Sequence, residues 1–95
     1  MKVLETSQFA DWVVGLRDIR AKAKVVSRIR QATIGNLGDV APVGGGISEM
    51  RIHHGPGYRV YFLTQGKKAI LLLLGGTKRS QKRDVTRARK LAEEY

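Results

Sequence analysis

Two short runs place polar side chains at alternate positions. In Ile47 to His53, strand alternation sets Met50 and Ile52 on one face and Glu49, Arg51 and His53 on the other. In Tyr58 to Leu63 the same alternation gives Tyr58, Val60 and Phe62 an apolar face and leaves Arg59 and Tyr61 opposite. Paired as a hairpin, the runs are expected to gather Glu49, Arg51, His53, Arg59 and Tyr61 on one open sheet face, with Lys78 at its rim. Two guanidiniums, an ammonium, an imidazole and a phenol suit an RNA phosphodiester. The cations would hold the scissile phosphate, and an imidazole or another side chain would activate the ribose 2′-hydroxyl. That chemistry needs no metal and no cofactor. A solvated outer face fits the same residues, with Glu49 paired to Arg51 or Arg59 and His53 or His54 an ordinary turn residue.

Several elements must position these groups. Lys2 to Glu5 suits an edge strand, and Thr6 or Ser7 suits the cap of a helix whose apolar stripe is Phe9, Trp12, Val13 and Leu16. That spacing makes Phe9 and Trp12 core residues rather than base-stacking platforms. Gly15 and Asp18 mark the passage to a second helix from about Ile19 to Ile34. Its stripe is expected at Ala23, Val26 and Ile29, and Gly35-Asn36 at its left-handed stop. Past Gly38 the pattern changes to period two. Gly44-Gly45-Gly46 precedes a strand rather than a helix, so it reads as a bend into the sheet and not as a phosphate loop. A meander follows: Ile47 to His53, a turn at His54 to Gly57, Tyr58 to Leu63, a turn at Gln65-Gly66, and Ala69 to Leu74, ended by Gly75-Gly76-Thr77. The unbroken Ile70 to Leu74 is expected to be an internal strand buried on both faces. A last helix from about Ser80 to Glu94 carries Val85, Ala88, Leu91 and Ala92 on its apolar side. Gly75-Gly76-Thr77-Lys78 leads from strand to helix but lacks the spacing of a nucleoside-triphosphate loop.

Composition narrows the classes. With 95 residues the chain suits a single domain, residues 1–95, and leaves no room for a large multi-site enzyme. An apolar fraction of 42% fits a folded globule rather than a disordered one. There is no cysteine, and two adjacent histidines make a poor metal site, so no metal is expected. The apolar run Ala69 to Leu74 is far short of the ~18 residues of a membrane span, and Met1 to Glu5 lacks a signal-peptide core, so a cytoplasmic location without membrane contact is expected. A formal charge of +10 calls for a polyanionic partner. The positive charge concentrates in the helical segments: residues 17–30 hold six basic groups and one acid, and residues 77–95 hold seven and three.

Four blocks then carry a resemblance: Gly38-Asp39-Val40, Val43 to Ile52, Gly55-Pro56-Gly57-Tyr58-Arg59-Val60-Tyr61-Phe62, and Leu73-Leu74-Gly75-Gly76-Thr77-Lys78-Arg79-Ser80-Gln81. In order and along nearly the whole chain, they resemble the HigB-like branch of the RelE/ParE toxin superfamily, the addiction-module killer proteins. The resemblance implies an α+β, RelE-like domain in which two N-terminal helices pack on a mainly antiparallel sheet, with a C-terminal helix. It implies the toxin of a type II toxin–antitoxin pair, an endoribonuclease that cuts mRNA at the ribosomal decoding site. Its partners would be mRNA, the ribosome and an antitoxin with a helix-turn-helix domain from an adjacent gene, with operator DNA reached only through that antitoxin. Matched position by position, the phosphate contacts fall on Arg51, Arg59 and Lys78, the positions that alternation also collects. His54 and Asp84 join them as catalytic candidates, with His53 also considered for the base, and His53, Tyr61, Arg79 and Gln81 are candidates for holding substrate. Two positions depart from the pattern: Glu49 stands where several ribonuclease members have a second basic residue, and Asp84-Val85 stands where a stacking tyrosine is found. A ParE-like poison of DNA gyrase and a basic nucleic-acid-binding module without activity are the alternatives.

Overall fold

The computed structural model describes all residues from Met1 to Tyr95. Strand β1 (Lys2–Glu5) leads through Thr6 into helix α1 (Ser7–Val14). The Thr6 hydroxyl accepts a hydrogen bond from the Phe9 amide at 3.0 Å and donates to the Leu73 carbonyl at 2.6 Å, so one side chain caps the helix and ties it to the sheet. Gly15 ends α1, and Asp18 opens helix α2 (Ile19–Thr33) by accepting from the Arg20 and Ala21 amides at 2.9 and 3.2 Å. Gly35, at φ +87°, stops α2 as expected. The buried line of α2 is Ala21, Val25 and Ala32, whereas Ala23 is exposed and Val26 and Ile29 are half-buried. The expected stripe, spaced strictly by three, drifts about 60° per step around a helix; spacings of four and seven stay on one side. Arg28 on α2 donates to the Arg51 and Leu37 carbonyls at 2.5 and 2.9 Å, stapling the helix to the sheet.

The other strands are β2 (Val40–Gly44), β3 (Ile47–Ile52), β4 (Tyr58–Gln65) and β5 (Ala69–Thr77). Together with β1 they form one sheet in the order β1-β5-β4-β3-β2, in which only β1 and β5 run parallel. The architecture is α+β with a mixed five-stranded sheet and three helices. Gly44, Gly45 and Gly46 all lie at positive φ; Gly44 ends β2, and Gly45 and Gly46 form the turn into β3.

Strand β5 runs three residues beyond the expected stop at Leu74. Tyr61 pairs with Leu74 and Phe62 with Leu72, so Leu73 is an extra residue and β5 bulges there. Leu73 and Leu74 consequently join the same side of the sheet, while Gly75 and Gly76 resume the alternation. A Cβ on Gly75 would lie 2.3 Å from the Trp12 ring, and one on Gly76 would lie 1.9 Å from Asp84 Oδ2. The glycine pair lets a helix approach each face; it does not end the strand.

Each sheet face is covered. Phe9 and the buried line of α2 pack on Met50, Ile52, Val60, Phe62, Ile70 and Leu72. After a 3₁₀ turn (Lys78–Ser80), helix α3 (Gln81–Ala92) lays Val85, Ala88, Leu91 and Ala92 on Ile47, Tyr61, Leu71, Leu73 and Leu74. The face expected to be open is therefore roofed by α3 over much of its area. No helix is long and apolar enough to cross a membrane.

Candidate functional site

Beyond the edge of α3 a cleft of about 370 Å³ remains, lined by His53, His54, Gly55, Pro56, Gly57, Arg59 and Lys78. Local turn chemistry builds it. The His54 amide donates to the Ile52 carbonyl and the Gly57 amide to the His54 carbonyl, each at 3.0 Å, which closes the β3–β4 connection tightly. The Lys78 amide donates to the Gly57 carbonyl at 2.7 Å, so the turn is tied to the chain leaving β5. Gly57 has φ +79°, and a Cβ there would meet Lys78 Cβ at 3.5 Å and Arg59 Nη1 at 3.7 Å. A glycine thus keeps the space between the two cations open.

Arg51 and Arg59 stand directly opposite each other across β3 and β4, an arrangement that costs energy unless anions offset it. Their environments separate them. Arg51 Nε and Nη2 donate to Asp39 Oδ1 at 3.1 and 2.7 Å, and His53 Nε2 lies 2.6 Å from Oδ2 of the same carboxylate. These two contacts hold the Asp39 carboxyl below the usual carboxylate range, the His53 hydrogen bond contributing most. Arg59 is nearly buried and its Nε has no hydrogen-bond partner; Glu49 Oε2, at 3.8 Å, is beyond hydrogen-bond reach. Glu49 instead accepts from Gln81 Nε2 at 2.8 Å. Arg59 thus faces a buried carboxylate with its Nε–H unused, whereas Arg51 spends two N–H groups on Asp39.

Tyr61 and Asp84 do not line the cleft. Tyr61 is fully buried under α3, with a hydroxyl that has no partner, and burial followed by the charges of Glu49 and Asp84 pushes its pKa up to about 12. It is a neutral phenol at physiological pH rather than a group on an open face. Asp84, also buried, accepts from Ser80 Oγ at 2.5 Å over Gly76, with Arg83 and Arg87 at 3.9 and 4.0 Å from its other oxygen. Gln81 is turned inward onto Glu49. Arg79 lies in an adjoining shallow hollow of about 760 Å³, lined by Thr77, Lys78, Arg79, Ser80, Gln81, Lys82 and Arg83. Lys78 belongs to both cavities, so the positive lining runs from the cleft to the start of α3 without a break.

Pattern reading did not find the carboxylates that hold the imidazoles. Asp39 reaches His53 from the α2–β2 connection, and Asp18 Oδ2 lies 3.0 Å from His54 Nε2. Asp18 was legible as a helix boundary, but nothing in its spacing shows that its second oxygen crosses to the β3–β4 turn.

Residues 15–94, which include every residue of the cleft and both flanking carboxylates, match the family described as Phage derived protein Gp49-like (DUF891). The chain is also 42% identical, over 94 residues, to an uncharacterized protein of Haemophilus influenzae; the match covers 99% of this chain and 95% of that protein.

Proposed function

Since the chain belongs to the Gp49-like family of phage-derived proteins, a toxin-like family associated with RelE- and HigB-type toxins, we propose that it is the toxin of a type II toxin–antitoxin pair. Its activity is that of a RelE-like, HigB-branch mRNA endoribonuclease acting on the ribosome. One observation carries this reading: the cleft is lined by Arg59, Lys78 and two imidazoles and by no carboxylate-bearing side chain. Such a lining suits a phosphate. Arg59 offers a planar fork to two phosphate oxygens, and Lys78 a point charge beside it. The ribose 2′-oxygen attacks phosphorus, the bond to the 5′-oxygen breaks, and a 2′,3′-cyclic phosphate forms. One proton leaves the 2′-hydroxyl and one is delivered to the departing 5′-oxygen. Catalysis here rests on positioning and on charge stabilisation.

The same lining supports a reading of the partners. The basic hollow beside the cleft continues the track for RNA on the ribosome, and a +10 chain is silenced by an acidic antitoxin segment from an adjacent gene, through which operator DNA is reached. The site of action is the cytoplasm. The test is expression of the full chain followed by mapping of mRNA 5′ ends. Cuts placed within translated codons support the reading. Double-strand DNA breaks in their place would identify a gyrase poison, and the absence of both would identify a binding module; either result overturns it.

A further inference from the structure

Resting on that reading, we propose that His54 is the group that takes the proton from the attacking 2′-hydroxyl, and that Asp18 is the residue that positions it. Asp18 is the N-cap of α2: Oδ1 accepts from two backbone amides, at 2.9 and 3.2 Å, and Oδ2 is left for His54 Nε2 at 3.0 Å. A carboxylate clamped at one oxygen by a helix terminus holds its other oxygen in a fixed direction. With its Nε2 proton donated to Asp18, a neutral imidazole keeps the lone pair on Nδ1 and can accept a proton there. The backbone that carries the ring is also fixed, because both the amide and the carbonyl of His54 are used in the turn.

The other two proton-transfer candidates lack this combination. His53 lines the same cleft, but its side chain is 72% exposed against 22% for His54. Its carboxylate, Asp39, is also bound by the Arg51 guanidinium, which offsets the negative charge facing the imidazole. Asp84 is buried beneath α3 and accepts from Ser80. Asp18 takes only neutral amides on its other oxygen, so its charge is available to the imidazolium that forms as His54 receives the proton. The charged and titratable groups that share the cleft or contact the ring are Asp18, His53, Arg59 and Lys78.

The test uses the purified full chain, bacterial ribosomes programmed with a 5′-labelled mRNA, and single-turnover cleavage over a range of pH. Asp18→Asn keeps an oxygen for the helix cap but presents an amide N–H to Nε2, which moves the ring proton to Nδ1 and removes the accepting lone pair. The expected result is a fall in the cleavage step of ~10² or more with ribosome binding and the folded state retained. In His54→Ala the limb of the pH profile that reports the base should disappear, and added imidazole should restore cleavage, as it should not in Arg59→Ala. Wild-type rates and an unchanged pH profile in a folded Asp18→Asn or His54→Ala protein would overturn the assignment while leaving the endoribonuclease reading intact, provided Arg59→Ala is inactive. A wild-type chain that cuts no mRNA on ribosomes overturns both.

Discussion

Arg59 carries a dual burden. It lines the cleft with a guanidinium whose Nε–H is unused, and it is also the positive charge nearest the buried Glu49 carboxylate. Truncation therefore mixes two effects, loss of a phosphate contact and exposure of Glu49 to an unbalanced environment, the second costing about 1–3 kcal/mol. Arg59→Lys separates them, since lysine keeps the charge and loses the planar fork. The Lys variant should melt near the wild-type temperature and cleave ~10²-fold more slowly, by the measure of a lost transition-state donor. Unchanged cleavage by the folded Lys variant would remove Arg59 from the site. Tyr61 gives the opposite expectation. Its hydroxyl is buried without a partner, so Tyr61→Phe should leave toxicity unchanged and hold or raise the melting temperature. A toxicity loss in that variant would show that α3 lifts to expose the phenol.

At the scale of elements, α3 decides how much of the sheet remains available. Its approach depends on Gly76, where a Cβ would collide with the buried Asp84 carboxylate. Gly76→Ala should cost about 1–3 kcal/mol through displacement of the helix, read as a lowered melting temperature. Alternation along β3 and β4 was enough to place Arg51 and Arg59 together, because a side-chain period of two admits one register once the apolar face is assigned. It was not enough to foresee the roof. Val85, Ala88, Leu91 and Ala92 announce an apolar helix side, but the β5 bulge that adds Leu74 to Leu71 and Leu73 beneath it is hidden in a run of leucines. Gly75 and Gly76 were misread as a strand end for the same reason: a glycine needed for close approach looks in sequence like one needed for a turn. The Asp18–His54 pair lay beyond pattern altogether, since it joins residues 36 positions apart through side chains on a turn and a cap.

The whole molecule adds charge and pH behaviour. Residues 17–30 and 77–95 hold most of the +10, and on the proposed function contacts from these segments to RNA phosphates would release counterions. Binding to ribosomes should weaken by ~10³ or more between 50 and 200 mM salt if six or more phosphates are engaged, and a flat salt response would exclude the basic helices as the contact surface. Acid acts through Asp18 and Asp39, whose carboxyls are held below the ordinary 3.8 chiefly by His54 and His53. A depressed carboxyl contributes stability above its unfolded value and loses it as pH falls through the folded value. The melting temperature of Asp39→Asn should accordingly lie below wild type at neutral pH and converge on it below pH 3.8; a constant gap across that range would show that the ion pairs are not its cause.

The parallel pairing of β1 with β5 sets an order of events. The strand made first can close only against the one made last in the sheet, as the Thr6 to Leu73 hydrogen bond across 67 residues records. Contacts of such separation form late and slowly. Arg59 and Lys78 flank β5 on either side in the chain, so the cleft between them takes shape only when β5 inserts between β4 and β1. On the proposed function, a chain has no assembled phosphate site until that insertion, and a capturing partner has that interval in which to meet it.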